Sequence, residues 1–154
     1  MEKSLISGIL QRANLNSFMI SSIVEAGNVG QIFRRLAQER INIEFINQVP
    51  QKNGYNNVIL CVDSKNAHFA LALLEEIKPV IKAREIYPLN QVGILSIYPH
   101  REHALVISII VQALSGAKIP LLAMGSSISA ISCVISHEKV PDAIKVLSNE
   151  FGLG

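Results

Sequence analysis

The strongest constraint on this chain is that it contains one pattern twice. The stretch Ile32–Ile43 superimposes on Ile110–Leu121. Val29, Ile32, Phe33 and Leu36 have the i, i+3, i+4, i+7 spacing of a helix with one apolar face, and Ile107, Ile110, Val111 and Leu114 repeat it. Each helix then leads into a β-like segment, Ile41–Ile46 in the first copy and Ile119–Met124 in the second. The repeat continues beyond that point. Val58–Val62 aligns with Ile131–Ile135 as a strand, and Ala67, Ala70, Leu71 and Leu74 match Val140, Ala143, Ile144 and Leu147 on one helical face. Before the first helix of each copy stands another strand, Phe18–Ile20 and Ile94–Ile97. Asn53-Gly54 and Gly125-Ser126-Ser127 are the turn signals between the middle strands.

Each copy therefore reads strand, helix, strand, strand, helix, and Ala83–Tyr87 closes the first copy with a further strand. This is the ferredoxin-like βαββαβ order. It predicts an α+β fold of two units, each an antiparallel sheet with both helices on one face. The segment Ala104–Leu114 pulls the other way locally, because Val106, Ile107, Ile109, Ile110 and Val111 favour a strand. The repeat decides for a helix. Apolar on nearly every side, that helix is expected to be covered by another domain or another chain.

Composition narrows the function. Of the 154 residues 49% are hydrophobic and 17% charged, enough apolar material for a core and too little charge for a disordered chain. A net charge of +2 with no run of five or more like charges argues against nucleic acid. The strands Val58–Val62 and Ile131–Ile135 also lack the aromatics on which RNA bases stack. Ala104–Met124 is the most apolar region, but Ser108, Gln112, Lys118 and Pro120 interrupt it, so no membrane span is expected. The N-terminus has no secretory pattern, so Cys61 and Cys133 are expected as reduced core thiols in a cytoplasmic protein. No phosphate-binding glycine loop and no nucleophile–base constellation appears, so no enzymatic activity and no cofactor is expected. His100, Glu102 and His103 lack a fourth metal ligand and are read as a solvated loop.

A small ligand that carries a carboxylate would find its partners where a strand hands over to a helix. Backbone N–H groups where a loop enters a helix suit the carboxylate, and amide side chains satisfy the rest. The loop Ala26-Gly27-Asn28-Val29-Gly30 precedes the first helix and brings two glycines, while Asn42 and Gln48 flank the next strand.

At this point the residues resemble the C-terminal regulatory region, or beta subunit, of aspartate kinases, which carries two amino-acid-sensing ACT domains in tandem. Three segments support the resemblance in order: Ile6-Ser7-Gly8-Ile9 ahead of Phe18–Ile20, the run Ile41–Gln48, and Ile131–Ile135 followed by a helix and Glu150–Leu153. The resemblance implies that the N-terminal strand crosses over to complete the second unit. That gives a first ACT domain over 14–90 and a second over 91–154 plus the strand 4–12. It implies a homodimer, an amino-acid effector at an ACT interface, allosteric transmission through dimer contacts, and a possible catalytic subunit as partner. With no kinase sequence present, the chain resembles a free regulatory subunit.

The resemblance puts Gly27, Val29 and Gln48 at effector-contacting positions and Asn42 at the motif's asparagine, with Ile43 beside it. Val24 and Ala26 stand where the family has aspartate and proline, which speaks against a cationic effector such as lysine. In the second copy Pro120 replaces the asparagine and Leu105 the glycine. Leu121 is expected to contribute a wall there, and Ser126 and Ser127 to match the family's small hydroxyl residues. The alternative function is an assembly subunit that keeps the pairing surfaces without a ligand.

Overall fold

A computed structural model describes residues 3–154. Among them, seven strands and four α-helices run in the order β1 (Leu5–Val24), α1 (Ala26–Gln38), β2 (Phe45–Pro50), β3 (Tyr55–Asp63), α2 (Ala67–Ile81), β4 (Glu85–Pro99), α3 (His103–Gly116), β5 (Ala123–Ser126), β6 (Ile131–Ser136), α4 (Val140–Glu150) and β7 (Gly152–Leu153). The chain is α+β and divides into two compact units. One is Asn14–Gln91; the other joins the segment through Ala13 to Val92–Gly154.

In the unit Asn14–Gln91 the strand order is β2-β3-β1-β4, and β3 is antiparallel to both β1 and β2. Strand alternation puts Phe18 opposite Leu60 and Ile20 opposite Val58 on one face. Those side chains meet Val29, Ile32 and Leu36 of α1 and Ala70, Leu73, Leu74 and Ile81 of α2 in one core. Each such large apolar side chain contributes about 1.5–3 kcal/mol on burial. Cys61, paired with Ser17, faces the other side of this sheet and is buried there.

The second unit repeats the plan with order β5-β6-β4-β1. Leu95 and Ile97 of β4 stand opposite Cys133 and Ile131 of β6. They share a core with Val106, Ile110 and Leu114 of α3, with Val140, Ala143 and Leu147 of α4, and with Ile6 and Phe151. The short β7 runs parallel to β1, with Leu5 beside Gly152 and Ile6 beside Leu153, a pairing that an all-antiparallel expectation missed. Gly93 is required sterically: a Cβ there would lie 2.5 Å from Val140 Cγ2 and 3.3 Å from the Arg12 carbonyl oxygen.

Segment Ala104–Leu114 is helical, as the repeat required, with Val106, Ile110 and Leu114 buried four residues apart. Leu105 and Val111 remain 48% and 40% exposed. No helix among the described residues is long and apolar enough to cross a membrane.

Three boundaries differ from expectation. The strands do not begin at Ile41 and Ile119, because both residues cap helices. Arg40 and Lys118 adopt left-handed φ values of 55° and 58°. Ile41 N–H then donates to the Leu36 carbonyl at 2.9 Å, and Ile119 N–H to that of Leu114 at 2.9 Å. Pairing starts only at Phe45 and Ala123. Ile6–Ile9 and Phe18–Ile20, expected as separate segments, belong to one strand, β1, which bends through Asn14 (φ 58°) without breaking. Ala83–Tyr87 and Ile94–Ile97 likewise merge, from Glu85 onward, into β4.

Candidate functional site

Ala26-Gly27-Asn28-Val29-Gly30 is no loop; it forms the first turn of α1. Glu25 caps the helix with φ 67° and without a side-chain bond, and Asn28 N–H donates to the Glu25 carbonyl at 3.2 Å. The Asn28 side chain is committed within the helix start: Nδ2 donates to the Val24 carbonyl at 2.6 Å, and Oδ1 accepts from Gln31 Nε2 at 3.0 Å. Val29 is buried in the core, so only its backbone is open to a ligand. Ala26, Gly27 and Gly30 are exposed.

Neither glycine is demanded by the fold. A Cβ at Gly27 or Gly30 would meet nothing within 4 Å, and neither has a positive φ. Each glycine inside a helix costs about 1 kcal/mol relative to alanine. Against them lies a cavity of about 480 Å³, lined by Gly27, Gly30, Gln31, Arg34, Arg35, Gln38 and Ile77. Arg35 donates to Glu39 Oε1 at 2.8 Å and to Glu76 Oε2 at 3.4 Å. The Glu39 hydrogen bond is the main cause of a pKa above the usual arginine value. Arg34 has no ion-pair partner among the described residues. The cavity thus offers backbone, two amides and one uncommitted cation, a donor-rich surface suited to a carboxylate.

Asn42 and Gln48 do not line this cavity. Asn42 is exposed between α1 and β2, its Nδ2 donating to Glu44 Oε1 at 3.1 Å. Ile43 packs half-buried on the core. Gln48, on β2, donates from Nε2 to Asn56 Oδ1 at 3.0 Å, and Asn56 is only 5% exposed. Gln31, Arg34, Arg35 and Gln38 went unnoticed in the sequence, although their helical period with Gly27 is legible once Ala26 is read as the helix start.

In the second unit Leu121 lines an apolar groove of about 410 Å³ with Val111, Leu114, Ser115, Lys118, Ile119 and Pro120. Ser126 ends β5. Ser127 closes the hairpin, its N–H donating to the Ala130 carbonyl at 2.9 Å and its Oγ accepting from Ala130 N–H at 3.3 Å. His100, Arg101 and Glu102 line a further hollow with Lys3, Ser4, Leu5 and Leu105, while His103 opens α3. Among the described residues no group of three His, Cys, Asp or Glu side chains is arranged to hold a metal ion. Both cysteines are free and buried. Desolvation pushes the Cys61 thiol up to about 12 and that of Cys133 to about 11, far from a nucleophile's range.

No protein-family model matches the chain, and no curated protein matches it in sequence. Solved structures share its fold, which is that of the regulatory subunits of aspartate kinase. The regulatory subunit of aspartate kinase from Thermus thermophilus, in its ligand-free form, superposes with a TM-score of 0.85 at 19% identity, covering 96% of this chain and 99% of that one. A structure of aspartokinase alpha and beta subunits gives 0.85 at 22% identity, over 94% of this chain and 97% of that one. Aspartate kinase from Synechocystis gives 0.87 at 20% identity, but the 97% of this chain that aligns spans only 27% of that enzyme.

Proposed function

We propose that this chain is a non-catalytic regulatory module of two ACT domains, 14–90 and 91–154 with the strand 4–12, that binds a free amino acid and transmits its presence through a homodimer. The main support is that the fold likeness runs the whole length of a regulatory subunit, 96% of this chain against 99% of that one. The likeness to a whole aspartate kinase covers 27% of that enzyme, which supports a regulatory part acting on a catalytic one. The exposed Gly27–Gly30 face of α1 supports a ligand site, because two glycines without a structural reason leave the backbone open. Ala26, Asn28, Val29, Asn42, Ile43 and Gln48 remain in the proposed ligand set, together with Leu121, Ser126 and Ser127 of the second unit. Arg34 favours an effector whose carboxylate dominates.

Thermal unfolding and calorimetry against the free amino acids test this. A ligand held a hundredfold above its Kd adds about 2.7 kcal/mol of stability. At least one amino acid is expected to raise Tm at millimolar concentration, Gly27→Ala and Gly30→Ala to weaken its binding, and sedimentation to give the mass of two chains. If no amino acid shifts Tm, sensing is lost and an assembly subunit becomes the better reading. The apolar groove at Val111, Pro120 and Leu121 favours that alternative, as a surface of the kind buried in protein interfaces.

A further inference from the structure

A different hollow, inside the unit Asn14–Gln91, is lined by Ser22, Val24, Tyr55, Lys82 and Arg84 and encloses about 280 Å³. Its lining contains two cations, two side-chain hydroxyls and no carboxylate. The backbone around it is pinned. β1 bulges between Ile20 and Ile23, and Ser22 N–H donates to Asn57 Oδ1 at 2.8 Å. Arg84 N–H donates to the Ser21 carbonyl at 2.9 Å, and Lys82 N–H to that of Lys78 at the end of α2.

Two of the lining residues hold left-handed conformations, Ser22 at φ 54° and Lys82 at φ 53°. A residue with a Cβ is strained in that geometry, and glycine is the usual occupant of a helix end such as Lys82's. A basic residue at a helix C-terminus is favoured by the helix dipole, and Arg40 and Lys118 stand at such ends, also left-handed. The dipole does not account for Arg84, nor for the two hydroxyls around it. The α2 terminus contributes about −0.5 of an elementary charge. Two full cations outweigh it.

We propose that this hollow binds a phosphate group carried by a small soluble molecule. The Arg84 guanidinium supplies paired donors, Lys82 a compact charge, and Ser22 and Tyr55 hydroxyl donors to the remaining oxygens. The volume lies just below the 300–1,000 Å³ range of drug-sized sites, which suits a small phosphate ester.

Inorganic phosphate and pyrophosphate, titrated into the full chain and followed by amide NMR, are the probes. Saturable shifts are expected at Ser22, Tyr55, Lys82 and Arg84, absent with chloride at equal ionic strength. Both cations are exposed, so the Lys82→Gln/Arg84→Gln double variant is expected to fold and to bind about tenfold or more weakly. Lys82→Gly separates fold from binding: glycine suits the left-handed position, so this variant should unfold at a higher temperature yet lose phosphate affinity. Shifts reproduced by chloride, or undiminished affinity in the double variant, would overturn the proposal. So would binding to phosphatidic-acid vesicles in preference to pyrophosphate. The amino-acid screen reads a separate site, so either proposal can fail alone.

Discussion

At the scale of single residues, Gly27 and Gly30 pull apart two quantities that usually move together. Nothing occupies the space a methyl would take at either position. Each glycine-to-alanine change should therefore stabilise the protein by about 0.5–1 kcal/mol, through helix propensity and a less flexible unfolded chain. A gain in Tm with a loss of amino-acid affinity marks residues kept for a ligand; a gain in Tm with no other change marks them as incidental. The buried thiols carry a different prediction. Burial raises both above the ordinary thiol range, to about 12 for Cys61 and about 11 for Cys133. Below pH 9 both are protonated in the folded and unfolded chain alike. As pH rises past 9 the unfolded chain releases protons that the folded one keeps, so their contribution to stability is lost progressively toward pH 11–12. The slope approaches about 1.4 kcal/mol per pH unit for each thiol. Urea unfolding at pH 8, 9 and 10 checks it, with the Cys61→Ala/Cys133→Ala double variant expected to show the shallower decline. Residue burial was legible in the β-like surroundings of both cysteines. Their non-equivalence was legible too: in the aligned repeats Cys133 stands at the place of Leu60, in the helix-facing core, and Cys61 at that of Val134, on the opposite face.

Element ends show what a one-sequence pattern conveys and what it hides. The periodic cores of α1, α2 and α4 are legible because apolar residues at helical spacing bury one stripe. Their termini are less so. Arg40 and Lys118 end α1 and α3 in a conformation that glycine advertises and a basic residue conceals, so Ile41 and Ile119 looked like strand residues. The start of α1 was hidden in a similar way: no side-chain cap marks Glu25, so Ala26–Gly30 read as a loop although it forms the helix's first turn. Gly93 is the opposite case, a glycine whose reason lies entirely in tertiary packing. α4 approaches β4 so closely there that a Cβ would meet Val140 Cγ2 at 2.5 Å. Gly93→Ala should cost about 1–3 kcal/mol by overpacking. Val140→Ala in the same chain should return part of it, and denaturant unfolding of the two single variants and the double variant measures the coupling.

Across the whole molecule, the segment through Ala13 and Val92–Gly154 make one unit although the whole of the other unit, Asn14–Gln91, separates them in sequence. The repeat alone leaves the second copy without a closing strand after α4, and only the family resemblance supplied one from the N-terminus. Physically, the segment contributes both backbone and core. Ile6 is fully buried among Leu95, Ile97, Val106 and Phe151. His100 N–H donates to the Leu5 carbonyl at 3.3 Å, Gly152 N–H to that of Ser4 at 3.0 Å and Gly154 N–H to that of Ile6 at 3.2 Å. Losing Ile6 alone forfeits about 1.5–3 kcal/mol of burial, before counting the cavity and the unpaired strand edge it leaves. Set against a typical domain stability of about 5–15 kcal/mol, that is a large fraction. A chain of residues 14–154 should therefore keep Asn14–Gln91 folded while Val92–Gly154 loses amide-exchange protection in α3, β6 and α4. A synthetic peptide of residues 3–13 added in trans should restore that protection in a concentration-dependent way, since it binds only the folded form. Full protection of α3 and α4 in the shortened chain would mean that the N-terminal strand decorates the second unit instead of completing it.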